Sequence, residues 1–172
     1  YQQIYHYKAV LNNNIIIGQG NLRTIIGYQQ NRRQEFEDVL SPNGYGLYFQ
    51  LHTINYDVRY SFPAIAGYKF VAGVNGMYQK SLNKGSEFLI PEYNLFDAGG
   101  FFLASRNFGK LDVSGGVRYD RRSTHGKSLY LNSNEEVVNE NAAGAEQICA
   151  DFSRHVEGII ASLGLTSQIS DS

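Results

Sequence analysis

The chain has no tryptophan, one cysteine, one methionine and three prolines in 172 residues. A lone thiol, Cys149, cannot close an internal disulfide and cannot supply the cysteine pairs of a structural zinc site. No run of 18 apolar residues occurs, which excludes a transmembrane helix. Charge is nearly balanced, with 15 Lys and Arg against 16 Asp and Glu. No basic run interleaves with aromatics, so nothing points to nucleic acid. The opening YQQIYHYKAV has no basic n-region, no small-residue cleavage site and no initiator Met, so we expect no signal peptide in it and read it as a start inside a longer sequence. Signatures of catalysis are missing as well. The histidines His6, His52, His125 and His155 are scattered, with no His-x-x-x-His pair and no Cys–His spacing. No G-x-S-x-G presents a nucleophile, and GQGN at 18–21 lacks the strand–loop–helix setting of a phosphate cradle. We therefore expect no enzyme, no metal site and no cofactor.

Tyrosine, phenylalanine and glycine are abundant, at 13, 10 and 18 residues. Mean hydropathy is -0.33 although 42% of residues are apolar. A sheet with one wet face and one apolar face has this composition, in outer-membrane barrels and in some secreted β proteins. No long segment keeps a helical period of 3.6, so the chain reads as strand and loop. Seven strands are expected, at about 1–11, 21–32, 47–61, 68–79, 92–105, 110–122 and 156–169.

Four of these alternate with a period of two, which sends successive side chains to opposite faces. In LHTINYDVRY, Ile54, Tyr56, Val58 and Tyr60 oppose Thr53, Asn55, Asp57 and Arg59. In YKFVAGVNGMYQK, Phe70, Ala72, Val74 and Tyr78 oppose Lys69, Gly73, Asn75 and Gln79. In IIASLGLTSQ, Ile159, Ala161, Leu163 and Leu165 oppose Ser162, Gly164, Thr166 and Gln168. The opening strand repeats the pattern. In GKLDVSGGVRYDRRS, Leu111, Val113, Val117 and Tyr119 likewise oppose Asp112, Ser114, Gly116, Arg118 and Asp120. No charged residue falls on the apolar face of the four. A lipid face and a soluble core both forbid charge there, so alternation alone leaves the solvent open.

The connections discriminate further. SFPAIAG and SRNFGK are short, whereas RQEFEDVLSPNGYG, SLNKGSEFLIP and the stretch from Ser123 to His155 are long and polar. Short and long connections alternate from the second strand onward. An up-and-down membrane barrel with tight turns at one end and long loops at the other predicts this, and a Greek-key sandwich does not. Aromatics gather at strand ends, namely Tyr28, Tyr48, Tyr60 with Phe62, Tyr78, Tyr93, Phe108 and Tyr119, where the two interfacial girdles of a barrel would lie. The odd strand count and the ending TSQISDS, without a terminal aromatic, suit a segment of a larger barrel. The chain is accordingly expected to be all-β: about seven consecutive antiparallel strands forming a partial barrel domain over 1–172.

The stretch FLIPEYNLFDAGGFFLASRNFGKLDVSGGVRYDRRS resembles the middle barrel of TonB-dependent outer-membrane receptors. In that family a strand carrying IPEYN…D.G.F returns through a short turn to G.L..SGG.RYD.R. FSRHVEGIIASLGLTSQIS is similar to the strand that follows, without the GFRAP-like segment that often comes next. LHTINYDVRYSF and YKFVAGVNGMYQ are similar to the preceding pair. The resemblance covers most of 47–169, and the first 46 residues share only its rhythm. It implies a 22-stranded barrel in the bacterial outer membrane, plugged by an N-terminal domain. Such a barrel imports a scarce nutrient, most commonly a ferric siderophore, with energy from TonB. Plug and TonB contact would lie N-terminal to Tyr1. At about 25 residues per strand, 22 strands need on the order of 540 residues.

Within that frame the binding candidates cluster at the loop rim. Arg32 and Arg33 precede the first long loop, Lys80 and Lys84 sit in the second, and Arg121, Arg122 and His125 open the third. Such groups would attract an anionic chelate, and Arg suits bidentate carboxylate contacts. Tyr93, with Tyr45 and Tyr130, would offer flat surfaces to a ring or sugar. The competing reading gives these cations to the acidic groups of outer-membrane lipid, or to loops containing Glu35, Glu37 and Asp38. Inward Asp57, Arg59, Asp112, Arg118 and Asp120 would pair across strands or touch the plug. A small self-contained outer-membrane barrel, serving adhesion or catalysis, and a soluble β-sheet ligand-binding protein remain as alternatives.

Overall fold

The period-two segments fold as long antiparallel strands, each paired with its neighbour in sequence. A computed structural model describes residues 1–36, 44–88, 90–134 and 136–169. Glu37, Asp38 and the last three residues, on which parts of the sequence reading fall, lie outside them. Six strands come first: β1 (Gln2–Ile17), β2 (Gly20–Phe36), β3 (Tyr45–Ser61), β4 (Tyr68–Asn83), β5 (Tyr93–Asn107) and β6 (Leu111–Gly126). Three short strands follow, β7 (Leu129–Leu131), β8 (Val137–Val138) and β9 (Glu146–Cys149), and then the long β10 (Phe152–Ser167). The main sheet has seven strands in the order β1-β2-β3-β4-β5-β6-β10, an uninterrupted up-and-down meander. The expected fold class holds: all-β, antiparallel, seven strands, and no helix among the described residues.

One end of the sheet is closed by tight turns. Gly18 and Gln19 join β1 to β2, with Gly18 at φ 61°. Ala66 (φ 52°) and Gly67 (φ 81°) close the β3–β4 hairpin, framed by two backbone hydrogen bonds between Ile65 and Tyr68. Both central residues at positive φ match the sense of strand twist, which is why hairpins favour that turn. Asn107 Oδ1 accepts from Gly109 N at 2.9 Å in the β5–β6 turn. The long connections lie at the opposite end. The last of them carries its own three-stranded sheet, in the order β8-β7-β9.

The strands run further toward the loop end than the sequence suggests. β2 continues to Phe36 rather than 32, β4 to Asn83 rather than 79, β6 to Gly126 rather than 122, and β10 starts at Phe152 rather than 156. β1 continues to Ile17, so short and long connections alternate from the first turn. Ladder hydrogen bonds need only backbone, so pairing outlasts the apolar alternation that revealed it.

The sheet is a single layer. Among the described residues Phe36 is the one buried apolar side chain. It stacks on Tyr1 at 4.3 Å between ring centroids. A soluble sandwich or lipocalin-like protein would bury a second layer of apolar side chains. Here the apolar face is open: Ile26, Ile54, Val74, Phe102, Val117, Ile159 and Leu163 are all exposed.

Register assigns each side chain to a face. The row Leu22, Tyr60, Ala72, Phe102, Val117, Ala161 is apolar across six strands. Near the loop end runs the row Tyr28, Ile54, Tyr78, Phe96, which continues into Ser123 and His155. On β6 and β10 the apolar face instead stops at Tyr119 and Ile159, four residues lower. The opposite margin shifts equally: Leu22 ends the band on β2, while β10 carries it to Leu165, four residues past Ala161. The apolar band therefore slants against the hydrogen-bond rows by four residues over five strand-to-strand steps. At about 3.3 Å per residue and about 4.8 Å between strands, that slant equals a strand tilt of about 30° to the band's normal. On β4 the band spans Phe70 to Tyr78, eight residue steps or about 26 Å along the strand.

Aromatics mark both margins. Tyr28 Oη meets His52 Nδ1 at 2.8 Å, and Tyr78 Oη donates to Asn94 Oδ1 at 3.2 Å, both at the loop-side margin. At the turn side the Arg106 guanidinium lies over the rings of Tyr68 and Phe108, at 4.5 and 4.7 Å from their centroids.

Candidate functional site

The opposite face of the sheet carries the charge. Arg23, Arg59, Gly73, Phe101 and Arg118 share one row, and Asp57, Asn75, Gly99 and Asp120 share the next but one. Arg59 holds Asp57 with two hydrogen bonds of 2.8 Å. Arg118 holds Asp120 through Nε at 2.6 Å and through Nη2, and it reaches Asn75 Oδ1 at 2.8 Å. Arg122 pairs across strands with Asp97, Nε to Oδ2 at 2.8 Å. The Arg59 and Arg118 forks each grip both oxygens of their carboxylate, matching the planar guanidinium to it, whereas Arg122 meets a single oxygen of Asp97.

Glycines make room for the ladder. A Cβ on Gly99 would sit 2.1 Å from Asp120 Oδ1 and 2.5 Å from Arg118 Nη2, so the ion pair lies flat on that backbone. At the β10 side Asp97, Arg118, Asp120 and Arg122 rim a depression of about 600 Å³, with Gly158 among its lining residues. Its arginines and carboxylates are matched among themselves, which suits polar contact more than capture of a free charge.

The structure divides the rim candidates. Arg32, Lys80, Arg121 and His125 fall on the apolar face, beyond its loop-side margin. Arg33, Tyr93 and Arg122 fall on the charged face. Arg33 is bound to Glu35 at 2.9 Å, and Tyr93 Oη donates to Gln79 Oε1 at 3.0 Å. Lys84 lies in the β4–β5 connection, 6.0 Å from the Tyr48 ring centroid. It borders a loop pocket of about 380 Å³ with Phe88, Pro91, Leu129 and Val137, near the Lys127–Glu92 ion pair at 3.0 Å. Lys80, expected in a loop, is a strand residue. Arg121 and Arg122 are neighbours in sequence yet point to opposite faces, so the expected clusters do not form one site. Tyr45 packs against Phe36 and Tyr48, and Tyr130 belongs to β7.

Asp97 was missed from sequence. The signal was available: the turn at 108–110 pairs residues of β5 and β6 whose numbers sum to 219, which sets Asp97 opposite Arg122. Among the described residues no group of three or more His, Cys, Asp or Glu gathers as a metal site would require.

A tilted single-layer meander, apolar and aromatic-edged on one face and charged on the other, is the architecture of a membrane barrel's wall. Among solved structures the chain is similar to the copper transporter OprC, with a TM-score of 0.54 at 15% identity. The likeness covers 89% of this chain and 25% of that one, so the chain spans about a quarter of its neighbour's length. At this identity the two share a fold. No family model matches the sequence, and no curated protein does.

Proposed function

We propose that the chain is a segment of the wall of an outer-membrane β-barrel transport receptor. The single observation that carries this is the slanted apolar band. Its tilt of about 30° approaches the 35–45° of membrane barrels. A slant common to both margins has no purpose on a sheet that faces water. The partial-barrel domain over 1–172, the remaining strands of a 22-stranded barrel and an N-terminal plug follow from the resemblance over 47–169. So do the outer-membrane location and energy from TonB. A fold shared with a copper transporter supports transport of a metal-bearing substrate, and cations at the loop end support an anionic one. On this reading the substrate is a ferric siderophore, and the chain's part is to form wall and outer loops without making or breaking bonds.

Uptake tests the reading. Cells carrying or lacking the gene would be fed labelled iron as siderophore complexes of several chemical types, with TonB present or depleted. TonB-dependent iron accumulation that requires the gene is expected. Accumulation of free copper instead would overturn the substrate, and no gene-dependent uptake of either metal would overturn transport.

A further inference from the structure

The loop pocket between the β4–β5 and β6–β10 connections has fixed walls. Its volume is about 380 Å³, within the range of about 300–1,000 Å³ found for small-molecule sites. Backbone hydrogen bonds hold it on both sides. The connection after β4 is laced to the start of β3: Lys84 N donates to Tyr48 O at 2.8 Å, Ser86 N to Tyr45 O at 3.1 Å and Glu87 N to Gly46 O at 2.8 Å. Gly85 permits that approach, since a Cβ there would come 2.4 Å from Gly46 O. Across the pocket, Leu129 and Val137 belong to the paired strands β7 and β8. Glu92 clasps the two sides. Its backbone O accepts from Lys127 N at 2.9 Å, its Oε2 takes Lys127 Nζ at 3.0 Å, and its Oε1 accepts from Asn83 N at 3.3 Å. A pocket formed in advance spares a ligand the cost of ordering it.

The lining offers two unmet chemistries side by side. Among its described residues Glu92 is the one acid, and it is spent on Lys127. Lys84 is exposed, with the Tyr48 ring beside it and no carboxylate of the described residues in ion-pair reach. Apolar surface lies open next to it: Phe88, Pro91 and Leu129 are half-buried and Val137 is exposed. A wholly polar anion would leave that surface wet, and an uncharged ring would leave Lys84 without a counter-charge. An occupant that brings an apolar group and a negative charge together answers both. Past Leu129 and Val137, which border both spaces, a wider depression of about 790 Å³ leaves room for the rest of a larger molecule.

We infer that this pocket binds an apolar carboxylate arm of the transported chelate. The apolar part lies against Phe88, Pro91, Leu129 and Val137, and the carboxylate meets Lys84 Nζ. The substrate class narrows accordingly to amphiphilic chelates, selected by apolar side chains that no charge pattern in the sequence reveals. This rests on the transport reading above, and the test separates the two.

Binding of radiolabelled 4-phenylbutyrate to the native protein, purified from outer membranes in detergent, would be measured by equilibrium dialysis against empty micelles. One saturable site per chain is expected. Citrate, which has carboxylates and no apolar group, is expected to displace the label at least about ten-fold less well than unlabelled phenylbutyrate. Leu129→Gln is expected to weaken binding about ten-fold. Lys84→Gln is expected to weaken it about three-fold, with Lys84→Arg restoring it. If Leu129→Gln fails to assemble, Val137→Glu, a change at an exposed position, must weaken binding as much, because it sets a like charge against the carboxylate. No saturable binding, equal displacement by citrate, or wild-type affinity in these pocket variants overturns the assignment. Uptake then separates pocket from transport. Iron presented on citrate carrying one octyl amide is expected to enter at least about five-fold faster than ferric citrate, dependent on the gene. Uptake of neither, with phenylbutyrate binding intact, overturns the transport reading and leaves the pocket standing. Equal uptake of both overturns selection of an apolar arm and leaves transport standing.

Discussion

Val74 offers the sharpest energetic test of which face meets lipid. It lies on β4, the middle strand of the seven, four residues from Tyr78 at one margin and four from Phe70 at the other. Its neighbours across the ladder are Val58 and Gly100, and its side chain is 51% exposed. On a water-facing sheet, Val74→Arg at a half-open site would shift stability by about 0.5 kcal/mol or less. In a bilayer, an Arg at mid-depth costs about 2–4 kcal/mol, or about 30- to 700-fold in the folding equilibrium. Ser114→Arg on β6 is the matched control, because Ser114 is exposed on the charged face. We expect it within about 0.5 kcal/mol of wild type. The assay is guanidinium unfolding of the native protein in lipid vesicles, with both variants measured on the same curve as wild type. Equal stability of Val74→Arg and wild type would refute the reasoning, as would an equal loss from both variants.

Three further outcomes follow from local geometry. Gly99→Ala would push Asp120 and Arg118 off the backbone they lie on, and is expected to destabilise by about 1 kcal/mol through the weakened pair. Gly158→Ala, where an added Cβ meets nothing within 4 Å, is expected to be neutral or mildly stabilising in the same melts. Ala66 adopts φ 52° ahead of Gly67, so Ala66→Asn should stabilise the β3–β4 hairpin by about 0.5–1 kcal/mol while Ala66→Val destabilises it, read by amide exchange at Ile65 and Tyr68.

How far the sequence carries the fold depends on where apolar side chains stop reporting. Ile54 to Tyr60, Phe70 to Tyr78 and Leu111 to Tyr119 sit in the band, and their alternation gave strand, face and neighbour correctly. Past the band the pattern goes quiet. In QQNRRQEF, from Gln29 to Phe36, nothing apolar recurs at every second position, yet each residue is paired with β3. Asn12, Asn13 and Asn14 read as loop because asparagine is poor in strands, but they pair with Thr24 and its neighbours because the Gly18–Gln19 turn fixes the register. The segments of β7, β8 and β9 are too short to carry any period.

The candidate site was less legible for a related reason. Arg121 and Arg122, or Arg32 and Arg33, look like clusters along the chain, whereas a strand sends each member of such a pair to a different solvent. Asp57, Arg59, Arg118 and Asp120 were placed on the inner face by parity alone. They do not pair across strands as expected: Arg59 takes Asp57 and Arg118 takes Asp120, each two residues away on the same strand and same face. Only the further contacts, Asn75 and the Gly99 floor, required the register across strands.

The measurement that tests the central claim most directly is the environment of one residue on each face of β6. With Cys149 replaced by Ser, spin labels would be placed by Val117→Cys and Ser114→Cys in the native protein in vesicles. Collisions with oxygen, which concentrates in lipid, would be compared with those of a water-soluble nickel chelate. The account predicts that the label at 117 meets oxygen and is shielded from nickel, while the label at 114 is shielded from lipid. Two labels that both respond to nickel as in water would contradict it.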